Sequence, residues 1–328
     1  MDVLSVVEKV FSISNEQEFS STALLVFKLQ YRNNGTYRAF CDGLGRNPGN
    51  VECIYRIPFL PISFFKSHKV VSFQGAEEII FTSSSTTGSI PSKHYVKDLS
   101  VYRQSFEMGF KHFYGAPSDY CILALLPSYI ERAGSSLIFM VEALIKISGH
   151  PTGGFFLNNR ADVVKSLKGL SSQNQKTILL GASFALLDLA EEFKLNNPGL
   201  IVMETGGMKG RRKEIVREEL HQAIKESFGV ELVHSEYGMT ELLSQAYSNG
   251  NGLFHCPPWM KVLVREASDP LSVARIGSTG GINVIDLANI YSCSFIATQD
   301  LGRINQDDSF EVLGRFDNSD VRGCNLMV

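Results

Sequence analysis

From residue 76 to about 250, short apolar runs alternate with stretches of helical period, and this alternation narrows the fold more than any other feature of the chain. Strands are predicted over 78–81, 121–126, 177–180, 200–203 and 230–233, and helices over 97–113, 135–147, 184–193 and 211–228. In 97–113 the residues Leu99, Tyr102, Phe106, Phe110 and Phe113 recur at spacings of three and four, which builds one helical face. In 211–228 the corresponding face is Ile215, Leu220, Ala223, Ile224 and Phe228. Such β–α alternation predicts layered, largely parallel sheets flanked by helices. After about 250 only short strands remain, over 260–265, 281–285, 294–298 and 310–313, separated by Gly, Pro, Asn and Asp turns. They predict a smaller antiparallel or barrel-like subdomain. The resulting layout is a mixed, helix-first segment at 1–75, an α/β body at 76–250, a β-rich subdomain at 251–312 and a tail at 313–328.

Composition removes several classes of function. The 328 residues, 44% hydrophobic and 20% charged, suffice for a large core. A net charge of −3 gives no basic footprint for nucleic acid. No apolar run is long enough to span a membrane. The opening MDVLSVVEKVF reads as an amphipathic helix rather than a signal peptide. Six cysteines, at 41, 53, 121, 256, 293 and 324, form no CxxC pair, which predicts reduced thiols and a cytoplasmic protein.

Three segments carry polar chemistry at strand ends. The strand at 78–81 runs into Thr82, Ser83, Ser84, Ser85, Thr86, Thr87 and Gly88, a run of hydroxyls closed by a glycine. Phosphate oxygens favour many short donors, and a strand exit aims backbone N–H groups at one anion. Lys93 lies just beyond. A solvated Ser/Thr linker is the competing reading, and GxxxxGK[ST] is absent. LIVMETGG (200–207) ends a strand in Gly206 and Gly207, followed by Met208. VHSEYGMTE (233–241) ends the next strand at Tyr237, Gly238, Met239, Thr240 and Glu241. Ligands of open α/β sheets bind at that edge. There Tyr237 could stack on a purine, and Glu241 is a hard oxygen ligand suited to Mg²⁺. A buried aromatic and a helix cap are the alternatives for the same residues.

SSSTTG (83–88), YGMTE (237–241), QDLG (299–302) and GRFDNSDVRG (314–323), in this order, resemble the adenylate-forming superfamily of acyl-CoA ligases, luciferases and adenylation domains. The chain looks most like the LuxE-type acyl-protein synthetases. The resemblance implies ATP-dependent activation of a carboxylic acid, a fatty acid above all, with ATP and Mg²⁺ as cofactors. It implies that Ser83 to Gly88 close over the phosphates, and that Gly206, Gly207, Met208, Gly238 and Met239 border the adenine on which Tyr237 stacks. Thr240 would touch the α-phosphate, Glu241 would bind Mg²⁺, Asp300 would take the ribose hydroxyls, and Arg315 would reach ribose or phosphate. LPSYIERAGSSL (126–137) resembles the segment bordering the carboxylate pocket, which implies substrate contacts at Tyr129 and Arg132, Arg132 being otherwise an exposed helix-start residue; His234, just before Glu236 and Tyr237, either contacts substrate or packs. A protein acyl acceptor or acyl reductase is the partner implied.

The sequence departs from the family pattern in places. Ser85 stands where the family loop has Gly, and Asp320 stands near the place of a usual Lys. The mobile C-terminal lid and its lysine are not found, so Lys93, Lys209, Arg211 and Arg212 are the alternative cations. Cys324 follows Arg322 and Gly323, and LuxE-type enzymes are acylated on a cysteine near the C-terminus; a thiolate is a strong nucleophile toward acyl-adenylates. Cys256 and Cys293 read as core residues, and His221 as surface or half-buried. A CoA-ligase-like enzyme with a lid supplied in trans, and a nucleotide-binding protein without catalysis, are the alternatives.

Overall fold

The computed structural model describes residues 3–84, 90–127, 132, 134–157, 159–206 and 216–316. The chain opens with helices α1 (Val3–Phe11), α2 (Glu16–Asn33) and α3 (Gly35–Gly43), strand β1 (Leu60–Pro61) and the short α4 (Phe64–Ser67). A two-stranded hairpin, β2 (Ile79–Thr82) and β3 (Lys93–Val96), leads into α5 (Leu99–Tyr114). The α/β run follows: β4 (Cys121–Leu125), α6 (Ser136–Ser148), β5 (Gly154–Phe155), α7 (Arg160–Ser172), β6 (Thr177–Ala182), α8 (Ser183–Glu192), β7 (Leu200–Thr205), α9 (Arg217–Phe228), β8 (Val233–Tyr237) and β9 (Ala246–Ser248). Strands β10 (Met260–Arg265), β11 (Thr279–Asp286), β12 (Phe295–Ile304) and β13 (Phe310–Arg315) complete the described chain.

The α/β run forms a six-stranded sheet in the order β5-β4-β6-β7-β8-β9, parallel except for the edge strand β9. Every residue of β4 and of β6 is buried. Such continuous apolar strands are what a parallel sheet covered on both faces demands. Tyr102, Phe106 and Phe110 of α5, and Leu220, Ile224 and Phe228 of α9, are buried as their spacing predicts. The carboxyl ends of β6, β7 and β8 therefore share one edge of a rigid body.

The later strands make a second sheet, β1-β12-β11-β10 with β13 beside β12. It is open, so the barrel-like option is corrected: β1, from the N-terminal segment, pairs in parallel with β12 at the edge. The N-terminal helices are tied to this sheet by polar side chains. Buried Gln30 donates to the carbonyls of Asn289 and Ile290, and Asn34 donates to Ser292 O. Strand β8 begins at Val233 rather than 230, because α9 ends in left-handed Gly229 and residues 230–232 make the turn back into the sheet. Helix α7, with its Lys, Ser and Asp residues, was not anticipated.

Candidate active site

A cleft of about 340 Å³ lies between the carboxyl edge of the parallel sheet and the face of the second sheet. Ser83, Ser84, Arg132, Gly206, Gly238, Met239, Thr240, Glu241, Asp300 and Arg315 all line it. The three distant stretches of chain that the sequence singled out thus converge. Ser85, Thr86, Thr87, Gly88, Tyr129, Gly207, Met208, Lys209, Arg211, Arg212 and Cys324 lie outside the described residues.

The hydroxyl-rich loop leaves β2 under restraint. The backbone N–H of Thr82 donates to Gly134 O at 2.7 Å, and the Ser83 hydroxyl accepts from the Ser92 N–H at 2.9 Å. Gly134 has φ +82°, and a Cβ there would stand 3.2 Å from the Thr82 hydroxyl. Only glycine takes that conformation without strain. The chain passing Gly134 thereby anchors the start of the hydroxyl-rich loop.

The Thr240–Glu241 turn is held from beneath by buried polar groups. The Asp286 carboxylate accepts from the N–H groups of Leu243 and Ser244 and from the Ser244 hydroxyl at 2.6 Å. Asn289 donates to Glu241 O at 2.8 Å, and the His94 ring bridges Thr240 O and Asn289 Oδ1. Burial drives the His94 pKa down to about 4, against the opposing pull of its two oxygen contacts. Glu241 itself is buried. Its carboxyl is pushed above the ordinary range by burial, against the opposing pull of the Ser92 hydroxyl and the positive charges of Arg315 and Lys66.

Asp300 sits on β12 directly opposite Arg315 on β13. Its Oδ1 accepts from Arg315 Nε at 3.0 Å and its Oδ2 from the Tyr237 hydroxyl at 2.8 Å. A carboxylate has roughly four lone-pair directions, so about two remain for a ligand.

Three expected site residues stand off the cleft lining. The Tyr237 ring is not among the cleft walls; it packs edge-on against Phe254 and Phe310 at 5.9 and 5.5 Å, and its hydroxyl donates to Asp300 Oδ2 at 2.8 Å. Lys93 does not line the cleft either. Strand alternation buries Ser92 and His94 and turns Lys93 to solvent. His234 is the second residue of β8, away from its carboxyl end, and its Nδ1 lies 3.2 Å from the Tyr114 hydroxyl. His221 is buried and meets Glu204 Oε1 at 3.2 Å.

Other cleft residues escaped the sequence reading. Lys66 reaches it from α4, a helix too short to show any period. Thr205 and Glu236 are register partners at the ends of β7 and β8, and the Thr205 hydroxyl donates to Glu236 Oε2. Two adjacent polar residues at neighbouring strand ends were the signal available for that pair. A Cβ at Gly238 would approach Glu236 Oε1 to 2.3 Å, so this glycine is required for Glu236 to lie where it does.

An open parallel sheet with a cleft at its carboxyl edge, faced by a second sheet, is a fold shared with ligases of known structure. A 2-hydroxyisobutyryl-CoA ligase structure with 2-HIB-AMP and CoA aligns with TM-score 0.69 and 14% identity, over 93% of this chain and 72% of that one. ATP-bound MatB from Rhodopseudomonas palustris aligns with TM-score 0.56 and 16% identity, over 74% of this chain and 49% of that one. The aligned region is thus about half the length of MatB. The model of the family described as "Acyl-protein synthetase, LuxE" matches residues 2–328, and the chain belongs to this family. A relative, the long-chain-fatty-acid–luciferin-component ligase of Vibrio harveyi, is 25% identical over 342 residues, covering 96% of this chain and 89% of the relative.

Proposed function

We propose that the cleft binds ATP and a carboxylic acid, a fatty acid by the analogy of the Vibrio harveyi relative, and joins them as R–COO⁻ + ATP → R–CO–AMP + pyrophosphate. The observation that carries this reading is the convergence of Ser83 and Ser84, Thr240 and Glu241, and Asp300 with Arg315 on one cleft of about 340 Å³. Asp300, pre-oriented by Tyr237 and Arg315, takes the ribose hydroxyls. The Thr240 hydroxyl donates to the α-phosphate, where negative charge grows as the acid attacks, and a donor fixed in advance stabilises that charge without reorganising. Arg132 holds the attacking carboxylate. Lys66 contributes a positive charge beside the phosphates, a role the sequence had offered to Lys93, Lys209, Arg211 or Arg212.

The donor set also fits Mg²⁺. Glu241 is a buried carboxylate facing the cleft, and burial leaves its charge undercompensated by the protein's own cations. A hard divalent ion supplies that compensation and shields the phosphates.

The activated acyl group then passes to a thiol: the thiolate attacks the acyl carbon, AMP leaves and a thioester forms. Cys324 is the first acceptor in this reading, and a protein partner, such as an acyl reductase, the next. Acid-dependent ATP–pyrophosphate exchange tests the first step. ATP binding without exchange for any acid would instead favour a nucleotide-binding protein without catalysis. Radiolabelled acyl group retained on denatured protein, and lost in Cys324→Ala, tests the second; a label that survives the substitution rules that cysteine out.

A further inference from the structure

The hydroxyl-rich loop and the turn that carries Thr240 and Glu241 belong to different parts of the fold. The loop grows from the β2–β3 hairpin, which pairs with neither of the larger sheets. The turn follows β8 of the parallel sheet. Among the described residues no sheet ladder joins the two, so other contacts set their spacing. Two of those contacts come from one short stretch. Ser92, the residue before β3, and His94, its second residue, are two apart in an extended chain and so face the same way. Both are buried, while Lys93 between them is exposed.

Ser92 joins the two segments directly. Its backbone closes the base of the loop: the N–H donates to the Ser83 hydroxyl at 2.9 Å, and the carbonyl accepts from the Ser83 N–H at 3.2 Å. Its hydroxyl donates to the Glu241 carboxyl. His94 reaches the preceding residue of the turn, its Nδ1 lying 2.8 Å from Thr240 O. A carbonyl oxygen only accepts, so this contact is an Nδ1–H donation. The far nitrogen, Nε2, lies 3.0 Å from Asn289 Oδ1. The Asn289 amide is oriented by its own donations to Glu241 O at 2.8 Å and Cys293 O at 2.9 Å. From the other side, buried Gln30 of α2 donates to Asn289 O at 3.0 Å. The His94 ring is seated edge-on against Phe65 of α4 at 5.8 Å.

We propose that Ser92 and His94 are positioning residues, a clamp that fixes the Thr240–Glu241 turn to the base of the hydroxyl-rich loop. The proposal rests on the adenylation reading and adds how its two phosphate-facing segments are held in register. Ser92 places the Glu241 carboxyl and His94 the Thr240 backbone, so the groups assigned to the metal and to the α-phosphate are set by one strand. A misplacement of ~1 Å can cost on the order of 100-fold in rate, which gives the clamp its consequence.

The experiment compares Ser92→Ala with His94→Phe, which keeps an aromatic ring and removes both nitrogens, and with His94→Asn, whose amide N–H can stand near the place of Nδ1. In acid-dependent ATP–pyrophosphate exchange, Ser92→Ala and His94→Phe lower kcat at least about tenfold and leave KM for ATP within about twofold, because Asp300 and Arg315 are untouched. His94→Asn recovers most of the lost kcat. The second arm needs no catalysis. Amide hydrogen exchange reads Leu242, Leu243 and Ser244, whose N–H groups are bonded to Met239 O and to the Asp286 carboxylate. These amides exchange about tenfold faster in His94→Phe and return toward the wild-type rate in His94→Asn, while β4 and β6 keep their protection in every variant. A loosened turn in protein that shows no pyrophosphate exchange with any acid would keep the clamp and remove adenylation. Turn amides unchanged in both Ser92→Ala and His94→Phe, or loosened no more than those of β4 and β6, overturn the proposal.

Discussion

Glu204 and Glu241 flank the same edge of the parallel sheet, and both are buried, yet the protein holds them in opposite electrostatic states. Glu204, near the end of β7, is surrounded by donors. Ser183 and Ser235 hydroxyls reach it at 2.9 and 3.0 Å, His221 at 3.2 Å, and Arg217 Nε at 3.3 Å. Burial pushes its carboxyl up, but His221, Arg217 and Ser183 together outweigh burial, and the pKa ends below its ordinary value. The Ser183 hydroxyl also lies 2.6 Å from Gly206 O, so this cluster fixes the start of the glycine turn. Around Glu241 burial wins. One carboxylate is satisfied by its own protein and serves as scaffold; the other is left in want of a cation, which is the state a ligand-binding acid requires.

The largest effect expected from this contrast is on activity at Glu241. Glu241→Gln keeps the shape and removes the charge, and it lowers kcat/KM for acid-dependent exchange at least ~100-fold. The thermal midpoint of the same variant stays level or rises, because an unfavourably buried charge has gone. Glu204→Gln gives the reverse pattern. Breaking a fully buried ion pair costs ~3–5 kcal/mol; Arg217 is 30% exposed, so a loss on the order of 2 kcal/mol is expected in urea denaturation. Equal effects of the two substitutions on exchange and on stability would erase the distinction between scaffold and site.

The pH dependence of stability sharpens it further. Glu204 titrates below 4.5 in the folded state, so its contribution is present above that pH and lost as pH falls through the lowered value. Glu241 titrates above 4.5 when folded, so its cost is present at neutral pH and relieved as pH falls through the raised value. Glu204→Gln therefore flattens the acid-side loss below 4.5, and Glu241→Gln flattens the slope between 4.5 and neutrality. Urea midpoints measured across this range check both, and matching profiles for the two variants would show that the carboxylates share one environment.

What the sequence made legible follows its periods. The helical faces through Tyr102, Phe106 and Phe110, and through Leu220, Ile224 and Phe228, are buried as their spacing requires, and the strand-end residues Gly238 to Glu241 meet Asp300 in one cleft. Chemistry written in consecutive residues survives without knowledge of the fold. Contacts made across the fold do not. Lys66 enters the cleft only because β1 and α4 are carried to the edge of the second sheet, and neither element is long enough to leave a pattern. Lys93 was misplaced by a single step of strand alternation beside Ser92 and His94. Tyr237 was read from its motif, but its ring is claimed by Phe254 and Phe310, partners far along the chain.

The smallest effect concerns that tyrosine, and it decides between two uses of one side chain. If the Tyr237 ring faced the adenine, Tyr237→Phe would keep the ring and leave nucleotide affinity nearly untouched. In the structure the ring belongs to the core and the hydroxyl holds Asp300 Oδ2 at 2.8 Å. Losing a hydrogen bond to a charged group costs roughly 1.5–3 kcal/mol when the acceptor stays buried. Asp300 keeps the bond from Arg315 Nε when the hydroxyl goes, so the loss falls near the bottom of that range. The expected result is a rise in KM for ATP of about tenfold with kcat little changed, since on the proposed reading Asp300 meets the ribose and not the reacting atoms. Asp300→Asn should show the same split more strongly, and the double variant should add little to it, because both substitutions disturb one contact. An unchanged KM in Tyr237→Phe would detach the tyrosine from the ribose contact and return it to the core alone.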